Sequence, residues 1–158
     1  KLQHIAFDSS SDGILILNQE KSCNKIIYAN PAFQKMIGFP ESEILKKSFE
    51  KVLGISEEQH HYLTLEKAFS EKTQVQTEFN CKHKDGHEIW LELHISPFYD
   101  KQKEIFYYVV IIINITEKKQ MLEQLSFQAT HDLLTGLPNR TLLMDRIQQA
   151  IAYCRRFD

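Results

Sequence analysis

Seven histidines and three cysteines are the side chains here best suited to hold a metal, carry a phosphoryl group or attack an electrophile. Their spacing decides which of these chemistries is open. His83, His87 and His94 flank one short segment and could meet across a hairpin. The alternation around them sends His94 to the outer face with Trp90 and leaves the two turn histidines in solvent. No carboxylate-rich cluster completes a tetrahedral site, so no metal is expected. His60 and His61 are adjacent, and neighbours on a helix point about 100° apart, so at most one faces inward. His131-Asp132 sets an imidazole beside an acidic neighbour. Cys23, Cys81 and Cys154 are odd in number and widely spaced, against a disulfide framework or a thiolate metal site and in keeping with a reducing compartment. Cys81 reads as a small buried residue. No nucleophile, base and stabiliser converge, so a self-contained enzyme is not expected.

The elements that position these residues are legible from period and punctuation. Gly13–Asn18 follows a serine-rich turn and reads as a buried strand, and Lys25–Ala29 as a second. Asn30-Pro31 has the form of a helix start, with Asn as cap and Pro at the first position, and Gly38 closes that helix. Short helical pieces follow at Ser42–Leu45 and Ser48–Leu53, then a longer one at Ser56–Phe69 opened by a Ser56 cap. From Val75 the period becomes two. Val75, Thr77, Phe79 and Cys81 alternate with polar residues, Lys84-Asp85-Gly86 supplies a hairpin turn, and Ile89, Leu91, Leu93 and Ile95 return until Pro97 ends the strand. Glu104–Ile113 is apolar at nearly every position, which predicts a central strand covered on both faces. The fold class is therefore α+β, with a five-stranded antiparallel sheet, short helices on one face and helices at the C-terminal end. Asn114-Ile-Thr-Glu117 resembles a capping box that opens a polar helix to about residue 131, on which Leu122, Leu125 and Ala129 form a narrow seam. Arg140–Tyr153 is a second amphipathic helix.

Composition narrows the function classes. Nineteen Lys and Arg against 21 Asp and Glu leave a charge of −2, with no basic surplus for a phosphate backbone or an anionic membrane. Nucleic acid is not an expected partner, nor is direct membrane contact, since the longest apolar stretch, Val109–Ile113, cannot span a bilayer. No signal peptide opens the sequence, and a cytoplasmic location is expected.

Residues 1–117 resemble a PAS domain. The resemblance rests on Ala29-Asn-Pro-Ala-Phe33, Gly38-Phe39, Lys84-Asp-Gly86 before Trp90, Ser96-Pro-Phe-Tyr-Asp100 and the terminal Asn114-Ile-Thr-Glu-Lys-Lys119. The terminal piece is similar to the family's D-I-T-E-R-K junction, with Asn114 where Asp is usual. His131-Asp-Leu-Leu-Thr-Gly-Leu-Pro-Asn-Arg140 resembles the start of GGDEF domains, which join two GTP into cyclic di-GMP, and Leu137–Arg146 resembles proteins with an EAL phosphodiesterase domain downstream. The resemblances imply a sensory domain at 1–115, a signalling helix at 116–131 and the truncated start of a GGDEF domain at 132–158. The Asn matching Asn139 contacts guanine in that family. Its metal-binding Asp and GGDEF loop lie beyond Asp158, so no catalytic residue and no cyclase chemistry are expected in this chain.

The implied function is a sensory and dimerisation module that controls a downstream cyclic di-GMP enzyme. Val75, Phe79 and Cys81, with Leu91, Leu93 and Ile95, form one part of a candidate pocket wall. Tyr108, Val110 and Ile112 continue that wall, and Phe33, Ile37, Phe49 and Leu63 stand opposite. Leu122, Leu125 and Ala129 are the expected seam of a homodimer, and a small-molecule ligand in the pocket is the expected signal. In the flavin-binding members of the family, polar partners of the flavin sit where this chain has Cys81, Leu91 and Ile112, and the reactive cysteine falls near Phe49. Flavin is therefore not expected. In haem-binding members the ligand precedes a Tyr-Leu pair. Tyr62-Leu63 is present, but the matching place holds Gln59, so haem is not expected either. Two alternatives stay open. One is a pure interaction module, built on the apolar outer positions Trp90, Phe106 and Val109 unless a Leu2–Phe7 helix covers them. The other is the sensor of a histidine kinase, with His131 as phospho-acceptor.

Overall fold

The computed structural model describes residues 7–20, 23–55, 60–102 and 105–154. The expected Leu2–Phe7 helix (apart from Phe7), the Ser56 cap and the side chains of His60, His61 and Cys154 lie outside the described residues. Two compact units divide the chain, Lys1–Thr116 and Glu117–Asp158.

In the first unit, period-two sequence becomes sheet. β1 (Gly13–Glu20), β2 (Cys23–Ala29), β3 (Val75–Lys82), β4 (Glu88–Asp100) and β5 (Ile105–Asn114) pair antiparallel in the order β2-β1-β5-β4-β3. β5 holds the centre, flanked by β1 and β4. Its inner face, Tyr108, Val110 and Ile112, is fully buried. Its outer face is not, contrary to the expectation of a strand covered on both sides: Ile111 is 40% exposed. Among the described residues, the helices of this unit pack on the inner face of the sheet.

β4 also departs from expectation, running through Pro97 to Asp100. β3 begins at Val75, opposite Ile95, so beyond that point β4 is bordered on one side by β5 alone among the described residues. A proline, which has no N–H to donate, is tolerated on such an edge.

Four helices cover the inner face: α1 (Pro31–Ile37), α2 (Glu41–Ile44), α3 (Phe49–Leu53) and α4 (His60–Glu71). Phe33, Ile37, Ile44, Phe49, Leu65 and Phe69 from these helices interlock with the inner face of the sheet in one apolar core. Phe49 meets Phe69 edge to face at 6.3 Å, and Phe69 meets Tyr108 in the same way at 4.8 Å. Gly13 permits close packing at this layer, because a Cβ there would lie 3.2 Å from Phe33.

Asn30 does more than cap α1. Its Oδ1 accepts from the Phe33 N–H at 3.0 Å and from the Ile14 N–H at 2.9 Å. Its Nδ2 donates to the carbonyls of Phe7 and Asp12, both at 2.9 Å. One fully buried amide therefore joins β1, the segment before it and the start of α1.

In the second unit, α5 (Thr116–Thr130), whose first residue belongs to the sheet unit, leads through a turn to α6 (Arg140–Cys154). No helix among the described residues is long and apolar enough to cross a membrane.

Candidate functional site

The wall residues expected from the sequence converge. Phe33, Ile37, Phe49, Phe79, Leu91, Leu93, Tyr108, Val110 and Ile112 are buried in the core cluster, Cys81 joins them near the rim, and Val75 packs against the cluster half-buried. Burial pushes the Cys81 thiol up to about 11, which leaves it protonated and unreactive near neutral pH. Leu63 is a correction. It is 60% exposed, because the inward phase of α4 runs through Leu65, Ala68 and Phe69, and Leu63 lies two residues off that stripe.

A buried polar atom without a partner marks where a polar ligand group would be welcome. Among the described residues these atoms are Asn18 Oδ1 and Asn24 Oδ1, at the β1–β2 end. Asn24 Nδ2 donates to Glu50 Oε1 at 3.2 Å, and since a carboxylate only accepts, this fixes which way the amide faces. Asn24 borders a cleft of about 200 Å³ with Gln19, Glu50, Tyr62 and Glu66, which offers acceptors to a ligand that carries N–H donors.

The exit from the sheet is held at one residue. The Ile115 N–H donates to the Trp90 carbonyl at 2.9 Å, and the Trp90 N–H donates to Thr116 Oγ1 at 2.9 Å. The backbone of β4 therefore grips the start of α5 through both main-chain groups of one residue, while Ile115 is buried. Asn114 contributes differently from the expected capping box, its Oδ1 accepting from the Thr116 N–H at 3.0 Å. The bond closes a short Asx turn at the strand end, one residue ahead of the cap position.

The β3–β4 turn gathers charge. The Asp85 carboxylate reaches the Nδ1 atoms of both His83 and His87, whereas His94 pairs with Glu92 at 2.9 Å and stays apart. The His87 N–H, then the His83 imidazole, hold the Asp85 carboxyl down at about 2.

In the second unit, Leu122 and Leu125 are 54% and 61% exposed and Ala129 is exposed beside them. His131 stacks on Phe127 at 4.1 Å and its Nδ1 contacts Thr130 Oγ1 at 2.9 Å. Asp132 organises the turn after α5, its Oδ1 accepting from the N–H and the hydroxyl of Thr135 at 2.9 and 2.8 Å, and these bonds lower its pKa. Asn139 caps α6 by accepting from the Leu142 N–H at 3.0 Å, while its Nδ2 donates to the Ala129 carbonyl at 2.9 Å. Both groups of that amide are thus engaged within the chain.

Comparison with known proteins gives this arrangement its kin. The chain is 29% identical over 103 residues to a blue-light-activated histidine kinase of Brucella anthropi, a match covering 65% of this chain and 21% of that protein. It is 27% identical over 139 residues to the probable diguanylate cyclase DgcE of Escherichia coli, covering 87% of this chain and 12% of that protein. The sequence thus spans less than a quarter of the relatives it matches. Among solved structures, an RNA-binding light-oxygen-voltage receptor superposes with a TM-score of 0.69 at 26% identity over 79% of this chain and 36% of that one. The light-oxygen-voltage domain of an Erythrobacter litoralis blue-light-activated histidine kinase gives 0.59 at 22% identity, over 66% and 96%.

These likenesses overturn the expectation that no cofactor is involved and that flavin can be set aside. Several of these kin are light sensors by name, and one further solved relative is a light-oxygen-voltage domain studied with a flavin analogue. The inner layer is apolar, which matches the chemistry of the faces of a flavin ring. Leu91, Ile112 and Phe49 are fully buried there and offer no donor to its polar edge. The residues present therefore share the apolar character of the ring faces and leave that edge unmatched. The five-stranded sheet with its helices agrees with the fold of these solved relatives, the family model for the PAS domain matches residues 11–117, and the chain belongs to that family of sensory signalling domains.

Proposed function

We propose that this chain is the input half of a cytoplasmic cyclic di-GMP signalling protein. Residues up to 115 sense, the helix over 116–131 transmits and pairs, and 132–158 begin a GGDEF domain whose catalytic residues are not among these 158. The observation that carries the reading is the length of the cyclase likeness. An alignment of 139 residues cannot fit inside residues 1–117, so it includes part of the signalling helix or of the GGDEF-like segment. The kinase likeness over 103 residues is no longer than the sensory domain alone.

The physical route runs through the sheet. A ligand that prefers one packing of the inner layer biases β4 and β5, and the Trp90 grip on Ile115 and Thr116 passes that bias to α5. Flavin is the cofactor class that the light-sensing kin bring to this chain, and the absorption spectrum of gently purified protein reads its presence directly. Two GGDEF domains must meet to join two GTP molecules, so pairing of α5 through Leu122, Leu125 and Ala129 gates the chemistry.

The test uses the longer protein encoded by the parent gene, with a complete GGDEF domain, assayed for cyclic di-GMP from GTP. Leu122→Glu/Leu125→Glu is expected to turn a sedimenting dimer into a monomer and to lower product formation on the order of tenfold or more, a loss of about 1.4 kcal/mol or more in coupling. The 158-residue chain alone is expected to form no product. A longer protein without cyclase activity refutes the reading, and so does a double variant that remains dimeric and fully active.

A further inference from the structure

We propose that the β3–β4 hairpin is a binding site for a divalent transition-metal ion of the zinc class, held by His83 Nδ1, Asp85 Oδ1 and His87 Nδ1. The remaining coordination position is open to water or to an external ligand. The inference is independent of the downstream domain and of what occupies the apolar core.

The hairpin brings the three side chains together through its backbone. The His83 N–H donates to the His87 carbonyl at 2.9 Å, which closes the last pair before the turn and sets the two side chains abreast. Their rings stack at 4.5 Å with 22° between planes. Asp85, at the tip, folds its carboxylate back between them. Asp85 Oδ1 lies 2.9 Å from His83 Nδ1 and 2.5 Å from His87 Nδ1, and the three ligand atoms fall within 4.8 Å of one another.

Two imidazole nitrogens and one carboxylate oxygen suit a borderline ion that accepts N and O donors at about 2.0–2.2 Å in a tetrahedral arrangement. Such bonds place neighbouring ligand atoms about 3.3 Å apart. The two Asp85 contacts need to open by less than about 1 Å to admit the ion, and the two ring nitrogens, within 4.8 Å of each other, to close by about 1.5 Å at most. Asp85 and His87 are exposed on a turn and free to make that adjustment.

Two ring nitrogens are aimed at one carboxylate oxygen, His83 Nδ1 at 2.9 Å and His87 Nδ1 from the other side. A cation that displaces the ring protons bonds to all three atoms. Lys84, the nearest ammonium in the turn, does not serve, because its Nζ is directed to Glu43 Oε1 at 2.9 Å.

One ligand is already fixed in place. His83 fills the space beside Gly38, where an added Cβ would come within 2.4 Å of its ring. The Lys84 N–H donates to the Ile37 carbonyl at 3.0 Å, which ties the turn to the end of α1. An ion bound here therefore stiffens the junction between the sheet and its helical cover.

The experiment titrates Zn²⁺ alone into tag-free chain by calorimetry, with Co²⁺ absorption as a second reading of coordination. One ion per chain is expected, with a tetrahedral Co²⁺ spectrum. Both His87→Ala and Asp85→Asn, at exposed positions and with melting curves to confirm folding, should weaken binding on the order of tenfold or more. His94→Ala, outside the cluster, should bind like the parent chain. The proposal fails if the parent chain takes up no zinc, if His87→Ala binds as tightly, or if His94→Ala loses as much as the hairpin variants.

Discussion

Asn30→Ala is expected to destabilise the first unit by about 4 kcal/mol, more than a helix cap alone would account for. Loss of the cap to Phe33 costs about 1 kcal/mol. The remainder comes chiefly from the Ile14 N–H and the Asp12 carbonyl, which the same amide satisfies, while the Phe7 carbonyl keeps the Ser10 N–H at 3.4 Å. An unmet buried donor or acceptor costs about 1–3 kcal/mol. Asn30→Asp separates the two halves of the effect, since it keeps both acceptor bonds and loses both donor bonds. Urea unfolding followed by the fluorescence of Trp90, the single tryptophan, isolates the sheet-bearing unit. A loss below about 1.5 kcal/mol for Asn30→Ala would mean that the four bonds do not act together.

Phe49→Ala is expected to cost about 3–5 kcal/mol, in the range for deleting a buried aromatic ring. The ring is fully buried and begins the edge-to-face series that continues through Phe69 to Tyr108, whose hydroxyl donates to the Phe69 carbonyl at 2.8 Å. Removing it takes away one end of a three-ring stack and leaves an apolar void against the sheet. Such a void stays dry and admits small apolar molecules, so saturating benzene should restore part of the lost stability. The same unfolding curves, with and without benzene, provide the measurement. A cost under about 1.5 kcal/mol, or no response to benzene, would show that the layer collapses around the substitution.

The sequence is most informative where local pattern and tertiary environment coincide. β3 and β4 alternate because one face meets helices and the other does not, so period two survives from residue to burial. Asn30-Pro31 and Gly38 bound α1 as expected because caps are local. Reading fails where the deciding neighbour is distant. Pro97 sits within a strand because β3 begins only opposite Ile95, a register that no local signal carries. Leu63 is apolar, yet Leu65, Ala68 and Phe69 define a stripe at helical spacing that excludes it, a signal present in the sequence. Asp85 belongs by sequence to a turn. That its carboxylate folds back between two histidines depends on the closing His83–His87 pair, and the short His-x-Asp-x-His spacing across a turn was the available clue. The three bonds that Asn30 makes beyond its cap are long-range and left no trace in the pattern.

The connection between β4 and the start of α5 is made from the main chain of one residue and a single threonine hydroxyl. Trp90 contributes its own N–H and carbonyl, so replacing the indole leaves both groups in place, whereas Thr116→Val removes the acceptor of one of the two bonds. The chemistry of this joint is therefore written at position 116 rather than at position 90.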